Sequence, residues 1–279
     1  MLTLKENEIQ RSLFSGELFG SIGLGKKEYF PKSFKETKKS LTPLHKKMQW
    51  ADTKEKKRIE SELTPSLRID FMKYGNYNLP YGSSKFGGNA DLSEDVLQQV
   101  LKEEDIPLLC QINLVDIKVY DLYKGLPQKG ILYFFFNESI EGDNEKIIVH
   151  YDENGEVQKD KETSGYKTLF YPIYTFPNNM EIAFDRVSQK KENEGLFDKL
   201  IDFEEDLGNA MDTHWYDTIF MGQPKPLQPT SYDTTRGDEE GYICLLDFAY
   251  RDPKYHVLIS AKDFKALNFD ATFLVGATT

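Results

Sequence analysis

Hydrophobic positions along the chain keep two different periods. Between Leu92 and Lys102 the apolar residues Leu92, Val96, Leu97, Val100 and Leu101 fall on one face of a helix. From Pro107 the spacing shortens to that of strands. The segments Pro107–Ile117, Gly130–Asn137, Lys146–Tyr151, Lys167–Thr175 and Met180–Phe184 are short, aromatic and β-branched, with turn residues between them. The helical period returns at Leu196, Leu200, Phe203 and Leu207, which predicts a helix over Leu196–Asn209 with Glu204, Glu205 and Asp206 among its polar positions. Strands at Gly241–Phe248 and Lys254–Ser260 follow, then a short helical stretch at Ala261–Leu267 and a last apolar segment at Ala271–Gly276.

Upstream, Met1–Lys39 keeps no period. Asp52-Thr-Lys-Glu55 has the form of a capping box opening a short charged helix toward Leu63, and Pro65 stops it. Antiparallel strands broken by a few helices indicate an α+β fold with a mainly antiparallel sheet core rather than a regular parallel βαβ arrangement. The division expected is a basic, partly helical N-terminal extension over residues 1–83 and an α+β domain over residues 84–279. Ile147–Tyr151, Asp152-Glu-Asn-Gly155 and Glu156-Val157 together read as a hairpin with a polar, protruding tip, because Asn-Gly takes the positive φ that tight turns require. Leu109–Leu114 can be laid on Ile243–Phe248, with Cys110 over Cys244, which raises an internal duplication around one pseudo-symmetric sheet.

Composition narrows the class. With 279 residues, 39% apolar and 29% charged, the chain is globular and long enough to bury a sizeable core without disulfides. Its longest apolar run, Ile131–Phe136, is far short of the ~20 residues that span a bilayer. The start MLTLKENEIQRS lacks the pattern of a secretory signal, and two cysteines in apolar segments suit a reducing compartment, so a cytoplasmic protein is expected. Net charge is −11, unevenly placed: residues 1–70 carry 15 basic and 10 acidic side chains, leaving 20 basic against 36 acidic beyond them. Such a body repels phosphates and argues against nucleic-acid binding. The basic stretch from Lys26 to Lys57 reads as a solvated segment lying against the chain's own acidic body.

Catalytic and metal motifs are not assembled. Gly20–Lys26 fits the first part of a phosphate loop, but Lys27 stands where a hydroxyl must hold Mg²⁺ and Pro31 interrupts the helix that must follow. His45, His150, His214 and His256 are scattered, and the ends of a calcium loop around Gly155 would be His150 and Lys161. No GxSxG elbow occurs. Cys110 and Cys244 belong to the core, and Trp215, Tyr216, Phe220 and Met221 read as residues sealing it. Acidic runs such as Glu204/Glu205 and Asp238/Glu239/Glu240 read as solvated faces. No cofactor or metal is called for.

The order SKFGG (84–88), a helix, PLLCQINLVDI, LPQKGILYFFF, MGQPKPLQ and LLDF with a closing VLISAKDFKALNFD resembles the bacterial YwqG-like family, a domain of unknown function, over roughly residues 84–275. Ser84–Gly88 match its opening, Gln111 and Asn113 its polar strand positions, and Gly130, Tyr133 and Phe134 its GxLYFF strand. Gly222, Pro224 and Gln228 match the glycine, proline and glutamine of its MGQPKPLQ-like segment, with Arg236 as its trailing arginine. Thr218 stands where the family usually has His, and RDPKYH replaces a Trp-rich loop. The resemblance implies an α+β fold with an internal repeat and supplies no activity or cofactor.

Two functions are therefore expected to compete. One is a non-enzymatic protein-interaction module whose acidic face, including Glu204, Glu205 and Asp206, engages a basic protein partner, as an immunity protein engages a toxin. The other is a small-ligand binder or enzyme using a polar cleft near Lys85, Gln111, Asn113, Gln228 and Arg236; Gln111 and Asn113, on one side of a strand, read either as part of that cleft or, more simply, as buried and satisfied polar groups.

Overall fold

The computed structural model describes residues 33–71, 78–102, 104–120, 122, 125–137, 145–177, 195–211, 217–224, 241–250 and 253–277. Three short helices lead in: α1 (Phe34–Ser40), α2 (Thr42–Lys47) and α3 (Thr53–Glu62). The capping box expected at Asp52 opens α3, with Asp52 Oδ1 accepting from the Lys54 and Glu55 N–H groups and Glu55 returning to the Asp52 N–H. Next come β1 (Thr64–Phe71), β2 (Leu79–Tyr81), β3 (Lys85–Phe86), α4 (Glu94–Leu101), β4 (Leu108–Asn113), α5 (Leu114–Ile117), β5 (Ile131–Asn137), β6 (Lys146–Asp152), β7 (Gln158–Thr163) and β8 (Tyr166–Thr175). The C-terminal part supplies α6 (Leu196–Met211), β9 (Thr218–Phe220), β10 (Tyr242–Ala249), β11 (Lys254–Ser260), α7 (Ala261–Lys265) and β12 (Phe273–Ala277).

Ten strands form one antiparallel sheet in the order β12-β11-β10-β9-β1-β8-β3-β4-β5-β6. It curls into a near-barrel. At the closing edges Tyr255 Oη on β11 donates to Glu145 Oε1 beside the start of β6 at 2.8 Å, and Gly276 of β12 lies against the same carboxylate. The alternate side chains that point inward make the main core, from Leu67 and Ile69 on β1 through Ile112, Phe134, Phe136 and Val257. Phe136 meets Phe248 edge-on at 5.1 Å across this interior. Two smaller cores cover the outer face: α1–α3 and α6 pack on Ile173 and Ile219, and α4 packs toward Leu108, Ile131 and Phe135.

The α+β class with an antiparallel core is therefore as expected. The strand order also mirrors itself about the β1–β8 pair: β3-β4-β5-β6 run outward on one side and β9-β10-β11-β12 on the other. Cys110 and Cys244 occupy matching strands, each beside a register shift. Both thiols are free and buried, and burial pushes each well up from its ordinary value.

Three local expectations differ. Thr64–Phe71, where the sequence reading places no strand, forms β1 near the middle of the sheet, paired to β8 and β9. Pro65 ends the helix as expected and then starts a strand, whose alternation of Leu67, Ile69 and Phe71 with Ser66, Arg68 and Asp70 is itself the period of two. The segment to Ile117 stops being a strand at Asn113, because its side chain accepts the Val115 N–H at 3.0 Å and caps α5. The Asp152–Gly155 turn forms, but the chain leaving it does not pair with β6: β7 pairs with β2 in a separate two-stranded sheet. Nor does the turn protrude. A Cβ on Gly155 would come within 2.8 Å of Ile131 Cγ1, so the turn folds back onto β5. Met180–Phe184 falls outside the described residues.

Candidate functional site

The segment from β2 to α4, which contributes β3, also lies over the outer face of β4 and β5, and the polar side chains beneath it converge on Asp91. Gln111 and Asn113, two apart on β4, face the same side. Lys85 is opposite Gln111 on β3, and Tyr133 is opposite it on β5. Asp91 Oδ1 accepts from Lys85 Nζ at 2.7 Å and from Thr163 Oγ1 at 2.6 Å; Oδ2 accepts from the Gly82 N–H at 2.6 Å and Gln111 Nε2 at 2.7 Å. The Asp91 N–H donates to Gln111 Oε1, and its carbonyl accepts from Tyr133 Oη at 2.9 Å. Asn113 Nδ2 donates to the Gly82 carbonyl, and Ser84 Oγ donates to Asp116 Oδ2.

Burial of this network is nearly complete, with Lys85 and Gln111 at 0% exposure and Asp91 at 4%. Desolvation lowers the Lys85 ammonium from its usual value, against the opposing pull of Asp91. It also raises the Tyr133 phenol. Gly82 holds φ +83°, and a Cβ there would sit 2.2 Å from the Glu156 carbonyl oxygen; Gly88, at φ +72°, is equally tight against Ser164. These glycines let the loop press onto the chain around β7.

Beside the network a cavity of about 580 Å³ opens, walled by the start of α4, the end of β6 and the turn after it. It is lined by Tyr81, Asp91, His150, Asp152, Glu153 and Glu156 among others, and among the described residues no lysine or arginine joins its lining. A second cavity of about 430 Å³ lies along β6 toward Asp270 and shares Val96 and His150 with the first. Burial pushes the His150 imidazole down, although Asp152 and Asp270 pull the other way, and Tyr133 flanks its ring at 6.1 Å. Burial raises the Tyr81 phenol, aided by Asp91 and Asp152. Lys161 Nζ sits 3.5 Å from the centre of the Tyr81 ring, a cation seated on an aromatic face at the rim.

Of the residues expected to form a polar cleft, Lys85, Gln111 and Asn113 are thus brought together, but as the buried side of a network whose hub is Asp91. Gln228 and Arg236 lie outside the described residues, as do Gly20–Lys27, Trp215, Tyr216 and Asp238–Glu240. Phe220 and Met221 are buried in the main core. Asp91 carried no sequence signal of its own, being one carboxylate among 46. The acidic run on α6 is partly engaged within the chain: Lys47 of α2 pairs with Asp206, Glu204 is half-buried and Glu205 is exposed. A second buried charge cluster joins Asp247 on β10 to Lys254 Nζ at 3.2 Å and His256 Nδ1 at 3.6 Å on β11. Burial favours the neutral Asp247 carboxyl, yet Lys254 and His256 outweigh it and hold the group below its usual range. Among the described residues no three His, Cys, Asp or Glu side chains are grouped to hold a metal, and no helix is long and apolar enough to cross a membrane.

A family model described as a domain of unknown function (DUF1963) matches residues 84–275, the stretch carrying the ordered motifs, and the chain belongs to that family. A comparison with curated proteins finds no match.

Proposed function

We propose that this DUF1963 chain, YwqG-like in kind, is a non-enzymatic binding module of the cytoplasm that engages a basic protein partner, as an immunity protein engages a toxin. The observation that carries it is the cavity beside Asp91, where Asp152, Glu153 and Glu156 line a concave surface that, among the described residues, has no lysine or arginine in its lining, Lys129 reaching Glu153 from outside at 3.7 Å. The carboxylates are concentrated where a partner's ammonium or guanidinium group would be partly desolvated, and there charge complementarity adds both encounter rate and specificity. The excess of acidic residues beyond position 70 supports the same reading at longer range. Affinity capture from the native cytoplasm, followed by rebinding of the purified captured protein across a salt series, tests it. A basic partner whose association slows as salt rises is expected; a captured partner that is acidic, or whose on-rate ignores salt, would refute it.

The small-ligand reading is favoured by one observation, the aromatic and imidazole lining of the same cavity by Tyr81, Tyr151 and His150. Under that reading the ligand is a cationic small molecule, and the purified protein would bind a free amine as tightly as any peptide.

A further inference from the structure

The two cavities adjoin: Val96 on α4 and His150 on β6 line both, so together they follow β6 as a two-lobed groove from the Asp152–Gly155 turn to the neighbourhood of Lys146 and Asp270. Seven residues of β6, at ~3.3 Å each, make the path about 23 Å long, the length of about seven residues of extended chain. Its two ends differ in chemistry. One is the carboxylate lobe of Asp152, Glu153 and Glu156, in which Glu153 also meets the exposed Lys129 ammonium at 3.7 Å. In the other, Val96, Val100 and Ile148 supply apolar wall, and Lys146 is already held by Glu104. A compact ion would leave the second lobe unused, whereas an extended chain fills both.

The rim shows how a cation is received. Lys161 of this chain lays its ammonium on the outer ring of Tyr81, and Asp152, one of the carboxylates inside, already holds the Asn154 N–H with Oδ1 at 2.9 Å. Asp91, by contrast, has both oxygens occupied by four donors and serves as the wall of the lobe. His150 stands at the junction, faced by Tyr133, Asp152 and Asp270, with Glu104, Lys146 and Lys102 further along the second lobe.

We propose that this groove receives an extended segment of the basic partner, with a lysine or arginine side chain in the carboxylate lobe and an apolar side chain further along in the other. The inference rests on the partner-binding reading above and names its contact. The test uses the full-length protein and fluorescein-labelled heptapeptides of Gly and Ser carrying one Arg and, one to four positions later, one Leu. At least one spacing should bind, with affinity falling tenfold or more when the peptide Arg becomes Gln or the Leu becomes Ser. The protein variant Asp152→Asn/Glu153→Gln/Glu156→Gln should lose the same tenfold with an unchanged thermal midpoint, because the amide oxygen introduced in place of the Asp152 carboxylate still accepts in the turn and the two glutamates are exposed. Val96→Glu, at the junction, should weaken every peptide. Three results would overturn the proposal: no peptide binding below about 1 mM, binding that survives the triple substitution, or spermidine binding as tightly as the best peptide with no contribution from Leu. If a captured basic protein still binds the triple variant with unchanged salt dependence, the groove is excluded and the broader partner-binding reading stands.

Discussion

Replacing Asp91 by alanine removes the hub of the buried network, and its cost can be worked from the contacts. The substitution leaves the Lys85 ammonium at 0% exposure without its partner and deprives Thr163 Oγ1, the Gly82 N–H and one Gln111 bond of their acceptors. Breaking a buried pair from one side costs about 3–5 kcal/mol, and each buried donor left unpaired adds about 1–3 kcal/mol. Lys85 limits the loss by shedding its proton, which its lowered pKa makes easier. Water entering from the adjoining cavity limits it further. About 4–6 kcal/mol is therefore expected, a large part of the ~5–15 kcal/mol that holds a folded domain together. Lys85→Met removes the cation and leaves the carboxylate three donors, so it should cost less, about 2–4 kcal/mol. The double variant should be no worse than Asp91→Ala alone, giving a coupling of about 2 kcal/mol or more in the cycle. Urea unfolding followed by far-ultraviolet circular dichroism and by tryptophan fluorescence measures all four proteins. A cost for Asp91→Ala below about 1 kcal/mol, or single effects that simply add, would mean that the network is not what pins the loop to the sheet.

Other expectations follow from the same geometry. A chain beginning at Ser84 lacks β1 and leaves β8 and β9 without their shared neighbour, so it should fail to give the cooperative unfolding transition expected of the full-length chain. The His150 imidazole is lowered below 6.5 in the folded state, so the unfolded chain binds the extra proton and stability falls as pH drops below about 6.5. His150→Gln should remove that part of the slope between pH 6.5 and 5 in thermal unfolding. The Asp247 carboxyl is lowered when folded, so its contribution is present above the unfolded value of 3.8 and lost as pH falls through the folded one; Asp247→Asn should be less stable at pH 7 and show a flatter acid limb. Cys110 and Cys244 should resist thiol reagents in the native protein and react at once in urea, since burial without a net cation suppresses the thiolate.

Much of the fold was legible in the order of residues because its signals are local. The periods of β5, α6 and β11, the capping box at Asp52 and the core placement of both cysteines follow from neighbours a few positions apart. Even the mirrored strand order had a trace in the echo of Leu109–Leu114 by Ile243–Phe248. Lys85, Gln111 and Asn113 could be singled out, the last two by their spacing of two. What they surround could not. Asp91, Thr163 and Tyr133 reach them from 78 residues of chain or less, but only after a glycine-bearing loop and the two-stranded β2–β7 sheet have folded over β4. The turn at Asn154-Gly155 was readable as a turn, while the partner of the strand after it was not, because pairing depends on which edge is free when the sheet has closed. β1 shows the same division from the other side. Its alternation is written in Thr64–Phe71, but its place between β8 and β9 is a long-range choice, made where its inward Leu67 and Ile69 complete a core that those strands leave open. Local chemistry determined the elements and their buried faces; tertiary packing decided the carboxylate-lined groove, because it lies between α4 and β6, segments that meet only in the folded chain.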